Sequence, residues 1–130
     1  MKIVFWLVLF CAGIFSQERV SFQDGLGDSA RKEKNLLVYF YRENCPYCRQ
    51  MDTYVFSEKN VETLISKHYI FSTVDMDSAP GKKLSEKYGF YASPSFLFLG
   101  KDGKVIAKMS GSRDADTFAR ELEKYKKYIH

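Results

Sequence analysis

Apolar positions along this chain follow two different periods. The run NLLVYFY, residues 35–41, is almost continuously apolar and rich in aromatics. That pattern predicts a strand buried on both faces of a sheet covered by helices. YIFSTVDM, residues 69–76, predicts a second strand of the same kind. Between the two runs the period changes. From Pro46 onward, Cys48, Met51 and Val55 recur at helical spacing, with the proline in the first turn, where its missing N–H has no partner to lose. In SEKNVETLISKH, residues 57–68, Val61, Leu64, Ile65 and His68 share one helical face, with Ser57 or Asn60 as the expected cap.

The flanking segments complete the pattern. ERVSF, residues 18–22, is a short strand candidate, and the polar DGLGDSARKEKN with its two glycines predicts a poor helix or loop-helix. APGKKLSEKYG predicts a short helix stopped by Gly89, and SPSFLFL and KVIAKM predict two strands joined by the turn GKDG. From Asp114, the positions Phe118, Leu122, Tyr125 and Ile129 mark a closing amphipathic helix, with Lys124, Lys126 and Lys127 near its negative end. A βαβ half followed by a ββα half predicts an α/β fold with a central mixed sheet flanked by helices on both sides.

Length and composition change this picture little. A chain of 130 residues fits one domain, and 45% hydrophobic with 28% charged residues is globular. A formal charge of +4, scattered along the chain, does not point to nucleic acid.

The N-terminus adds a compartment. Residues 1–16, MKIVFWLVLFCAGIFS, carry Lys2 and then an uncharged run from Ile3 to Phe15. As a helix that run spans only about 20 Å, short of the roughly 30 Å hydrocarbon core, so a cleaved secretory signal is expected rather than a membrane span. An uncleaved anchor is the alternative. Cleavage after Ser16 leaves residues 17–130 as the mature domain and removes Cys11 and Trp6; Phe10, preceding Cys11, is not the small residue a lipoprotein signal requires. Cys45 and Cys48 then remain, in an oxidising compartment that permits a disulfide between them.

ENCPYCRQM, residues 43–51, carries the candidate chemistry. Covalent haem needs a histidine after the second cysteine, where this chain has Arg49. Structural zinc needs four ligands, and His68 and His130 lie far away without ligand spacing. Two inert core thiols remain as the plain reading, but the motif opens a helix directly after a buried strand. The helix dipole and free N–H groups there favour a thiolate on Cys45 and place Cys48 one turn inside to resolve a mixed disulfide. Arg42 and Arg49 are candidate thiolate stabilisers, and Glu43 is a weaker candidate for proton transfer.

These motifs resemble the thioredoxin fold, and CPYC is the motif known from glutaredoxins. NLLVYFYRENCPYC is similar to the strand leading into a thioredoxin active-site helix, and KKLSEKYGFYASPSFLFLGKDGKVIAKMSG to the helix, cis-proline loop and hairpin. The resemblance covers about residues 19–129. It implies that Pro94 is a cis-proline beside the dithiol and that Ser93 offers backbone hydrogen bonds to an extended substrate. Pro46 and Tyr47 of the motif would lie on the same substrate-binding surface.

The departures are specific. Thioredoxins carry a buried aspartate six positions before the first cysteine, where this chain has Tyr39; the residue before the motif is Asn44 instead of tryptophan. CRQMDTYVFSEKNV is closer to small exported thioredoxin-like proteins of bacteria and to the C-terminal domain of their transmembrane thiol reductase. The resemblance therefore implies an extracytoplasmic thiol–disulfide oxidoreductase, most naturally periplasmic, reducing protein disulfides through Cys45 and Cys48. Its expected partners are protein disulfides or dithiols and an upstream thiol electron donor, with no metal, no cofactor and no nucleic acid. An oxidant or isomerase uses the same dithiol, and a redox-inert peptide-binding or metal-chaperone module would use the same surface.

Overall fold

The computed structural model describes residues 18–128. The expected signal at 1–16, with Trp6 and Cys11, and the terminal Ile129 and His130 lie outside the described residues. Strands β1 (Arg19–Val20), β2 (Asn35–Tyr41), β3 (Tyr69–Asp75), β4 (Ser95–Leu99) and β5 (Val105–Ser110) form one sheet in the order β1-β3-β2-β4-β5. β1 and β2 run parallel to β3, whereas β4 pairs antiparallel with both β2 and β5. The mixed sheet expected from the sequence is present, and β2 lies at its centre.

Helices α1 (Phe22–Lys32), α2 (Pro46–Gln50), α3 (Lys59–His68), α4 (Ala79–Tyr88) and α5 (Ala115–Tyr125) cover both faces. α2 continues as a π-helical turn over Met51–Val55. Alternation along β2 divides the core. Leu37 and Tyr39 face Met51, Ile65, Phe96, Phe118 and Leu122 on the side of α2, α3 and α5. Leu36, Val38 and Phe40 face Phe22, Val74, Phe90 and Leu97 on the side of α1 and α4. Burial of both faces explains why β2 reads as a continuous apolar run.

The structure corrects local expectations at β1, α1 and α3. The strand ends at Val20 and the supposed poor helix is an 11-residue α1, beginning at Phe22 and capped by Ser21, whose Oγ accepts the Asp24 N–H at 3.1 Å. Gly25, a helix-weakening residue by propensity, lets α1 approach the sheet: a Cβ there would lie 2.9 Å from Leu36 Cδ1. Tertiary contact outweighs propensity at that position. The cap of α3 is Glu58 rather than Ser57 or Asn60, because its carboxylate accepts from the N–H groups of Asn60 and Val61.

Candidate active site

β2 ends at Tyr41, and the chain turns through Arg42, Glu43 and Asn44 so that Cys45 becomes the N-cap of α2. Cys45 keeps extended backbone, φ −128° and ψ 104°, and its Sγ accepts the Cys48 N–H at 3.2 Å. A cysteine thus fills a position usually taken by serine, threonine or aspartate, with sulfur receiving the otherwise unpaired N–H. Pro46 occupies the first turn, Tyr47 is exposed, and Cys48 lies one turn inward. Both thiols are free and nearly covered, 6% exposed at Cys45 and 3% at Cys48.

The loop before β4 supplies the opposing wall. The Ser93–Pro94 peptide bond is cis, and Pro94 is buried. The Ser93 hydroxyl donates to Cys45 Sγ at 3.2 Å, while the Cys45 thiol lies 3.6 Å from the Ser93 carbonyl oxygen. Gly111 N–H donates to the Pro94 carbonyl at 2.8 Å and the Ser95 hydroxyl to the Ala92 carbonyl at 2.6 Å, tying this loop to its neighbours. Sequence reasoning placed Ser93 beside the dithiol for its backbone, whereas the structure shows its side chain bonded to the sulfur.

The two thiols occupy unequal environments. Burial by itself raises the Cys45 thiol. Hydrogen bonds from the Cys48 side chain, the Ser93 hydroxyl and the backbone N–H groups of Cys48 and Tyr47 outweigh it, so Cys45 lies below the ordinary thiol range. Cys48 shifts upward, first through burial and then through its hydrogen bond to Cys45; the Arg42 backbone N–H and Ser93 oppose this only in part. The pair therefore loses its first proton from Cys45, the sulfur nearer solvent.

The two arginine candidates make hydrogen bonds of their own. The Arg42 guanidinium bonds Asp77 at 3.3 Å, and that of Arg49 donates to the Glu43 carbonyl at 3.4 Å. The side chains that hydrogen-bond Cys45 are those of Cys48 and Ser93. His68 lies near the start of β2 among Lys34, Lys67 and Lys126, and burial first, then those charges, lower its pKa. Among the described residues no group of three or more His, Cys, Asp or Glu is placed to hold a metal ion.

Tyr39 lies under α2, its hydroxyl donating to the Cys48 carbonyl at 3.2 Å. Arg19, from β1, spreads over the Tyr39, Phe56 and Phe71 rings and pairs with Asp52 at 3.2 Å. No local signal in the sequence connects Arg19 with Asp52. β1 reaches the active-site helix only because it pairs with β3.

Residues 22–126 match the family model described as a thioredoxin-like domain. Protein disulfide-isomerase 1 of Dictyostelium discoideum is 32% identical over 101 residues, spanning 72% of this chain and 25% of that protein. The thiol:disulfide interchange protein DsbD of Photorhabdus laumondii is 28% identical over 93 residues, 69% of this chain and 16% of that protein. The chain thus spans a quarter or less of the length of these two curated relatives. Among solved structures, a thioredoxin from Thermus thermophilus superposes with a TM-score of 0.77 at 29% identity, covering 84% of this chain and 87% of that one.

Proposed function

The chain belongs to the thioredoxin-like domain family, and from that membership we propose that it is an exported thiol–disulfide oxidoreductase that reduces protein disulfides through Cys45 and Cys48. The observation that carries the reading is the asymmetric dithiol: Cys45 Sγ accepts from Cys48 N–H and Ser93 Oγ at 3.2 Å each, with Cys48 covered behind it. Cys45 is the nucleophile. Its thiolate attacks one sulfur of a substrate disulfide, forming the Cys45–substrate bond and releasing the other sulfur as a thiolate. Cys48 then attacks Cys45 Sγ, the second substrate thiolate leaves, and the Cys45–Cys48 disulfide holds the two-electron oxidation.

Pro46, Tyr47, Ser93 and Pro94 form the surface on which an extended substrate lies beside the thiols. Similarity to a protein disulfide-isomerase and to a thiol:disulfide interchange protein supports the reaction class. Export rests on the uncharged run Ile3–Phe15 behind Lys2, with residues 17–130 as the working domain. Among the described residues, no helix is long and apolar enough to cross a membrane. The periplasm is the compartment proposed, with an upstream thiol donor returning the disulfide to the dithiol.

Insulin reduction with dithiothreitol tests the reaction. The wild type accelerates precipitation and Cys45→Ser does not; equal acceleration by both would end the reading. Cys48→Ala accumulates mixed disulfides through Cys45, visible on non-reducing gels. The Cys45/Cys48 potential against glutathione tests direction: a value near about −270 mV fits a reductase and one near about −120 mV an oxidant.

A further inference from the structure

Ser95 opens β4 directly after Pro94 and is fully buried. Its one O–H proton goes to the Ala92 carbonyl oxygen, 2.6 Å away, so across the 2.9 Å contact with Ser110 Oγ it is Ser110 that donates. The direction of the chain is thus fixed: Ser110 O–H to Ser95 Oγ, and Ser95 O–H to Ala92 O. Strand register sets the two serines opposite each other, Ser95 on β4 and Ser110 at the end of β5. A buried hydroxyl that both donates and accepts is held in one orientation.

The Ala92 carbonyl belongs to the peptide unit that ends at Ser93, whose Oγ donates to Cys45 Sγ at 3.2 Å. On the other side of Ser93, the Pro94 carbonyl accepts the Gly111 N–H at 2.8 Å. Ser93 is therefore bracketed by two anchored carbonyls. Arg113 secures the end of β5, donating through Nη1 to the carbonyls of Ser110 and Gly111 at 3.0 Å each. A planar peptide unit moves as one body, so fixing the Ala92 carbonyl also fixes the Ser93 nitrogen and Cα. Ala92 itself is exposed, and without the Ser95 bond its carbonyl is free to turn to water.

We propose that Ser95, with Ser110 behind it, is a positioning residue that aims the Ser93 hydroxyl at the Cys45 sulfur and so helps to hold the reactive thiolate. The proposal deepens the oxidoreductase reading above and rests on Cys45 being its nucleophile. Ser95 acts through Ser93. Loss of its bond to Ala92 lets the Ala92–Ser93 peptide unit rotate, which lengthens the 3.2 Å contact and weakens the hydrogen bond to the sulfur. The titratable side chain bonded to Cys45 is that of Cys48 on α2, while the loop before β4 offers it the uncharged Ser93. Serine and alanine are both uncharged, so Ser95→Ala reaches Cys45 through geometry alone.

Iodoacetamide alkylation of the reduced protein against pH reads the Cys45 midpoint in the wild type, Ser93→Ala, Ser95→Ala, Ser110→Ala and the double variant Ser93→Ala/Ser95→Ala. Ser95→Ala is expected to raise the midpoint by about half a unit and to slow alkylation below it about twofold. Ser110→Ala, a change at an exposed position, moves the midpoint the same way by less, and Ser110→Thr, which keeps a hydroxyl, restores it. In the Ser93→Ala background, Ser95→Ala adds less than about 0.2 unit, because two residues acting through one bond are not additive. Thermal unfolding is recorded for each variant. A merely structural role for Ser95 lowers the thermal midpoint and leaves the Cys45 midpoint in place.

An unchanged Cys45 midpoint in Ser95→Ala would overturn the proposal, as would an undiminished shift by Ser95→Ala in the Ser93→Ala background. If Ser95→Ala does not fold, Ser110→Ala against Ser110→Thr decides by the same midpoint. Insulin reduction separates the proposal from the reading beneath it. A wild type that accelerates precipitation, beside a Ser95→Ala with the wild-type midpoint, removes the proposal alone. A wild type that does not accelerate it removes the oxidoreductase reading and the proposal together.

Discussion

Removing the Ser93 hydroxyl isolates one contributor to Cys45 reactivity. Ser93→Ala deletes the donor 3.2 Å from Cys45 Sγ and leaves the backbone wall of the site in place. A hydrogen bond to a charged group is worth about 1.5–3 kcal/mol, and the half-buried position of Ser93 argues for the lower end. Since 1.36 kcal/mol corresponds to one pKa unit, the midpoint of Cys45 alkylation should rise by about one pH unit. Below that midpoint the thiolate fraction falls about tenfold, but thiolate nucleophilicity recovers part of the loss with a Brønsted coefficient of about 0.4–0.5. The net fall in alkylation rate is therefore about three- to fourfold.

Iodoacetamide alkylation of reduced protein, followed against pH beside the thiolate absorbance, measures both quantities. Ser93→Thr retains a hydroxyl and should stay near wild type. The same change destabilises the reduced form wherever Cys45 is ionised, lowering the potential by about 30 mV per 1.4 kcal/mol. An unchanged or lower alkylation midpoint in Ser93→Ala would refute the reasoning. It would mean that the Cys48 side chain and the backbone N–H groups hold the thiolate without Ser93.

Two further outcomes test the scaffold. Gly81→Ala places a Cβ 1.8 Å from the Asp75 carbonyl oxygen at the junction of β3 and α4, so α4 must shift; denaturant unfolding should show a loss of about 3 kcal/mol. Asp114 caps α5, and the Thr117 N–H first, then the Thr117 hydroxyl, hold its carboxyl below the usual range. Its contribution is complete above the unfolded value of about 3.9 and disappears as pH falls through the lower folded value. Asp114→Asn should accordingly lose less stability than wild type on acidification through that window, measured by denaturant midpoints.

Much of the molecule is legible along the chain. Asn35–Tyr41 and Tyr69–Asp75 are recognisable as strands because burial on both faces requires apolar residues at nearly every position. Cys45 and Pro46 identify the start of α2, and Gly89 the end of α4, where φ is +78°. These signals are local, arising from side chains a few residues apart. α1 was less legible because Gly25 lowers helix propensity while answering a steric demand from Leu36, which belongs to a different element.

What the sequence determined by itself is the order of elements, the thioredoxin-like fold and a pair of cysteines at a helix start. Only the tertiary structure decided that a serine hydroxyl supports the Cys45 sulfur, because Ser93 lies 48 residues from Cys45 and contributes through its side chain. It also decided that Tyr39 donates to the Cys48 carbonyl and that Arg19, paired with Asp52, lies over the aromatic cluster beneath α2. Hydrogen bonds and charges act over a few ångströms in space, whereas periodicity and capping act over a few residues of chain. The dithiol could therefore be read from the sequence, but its environment required the folded sheet.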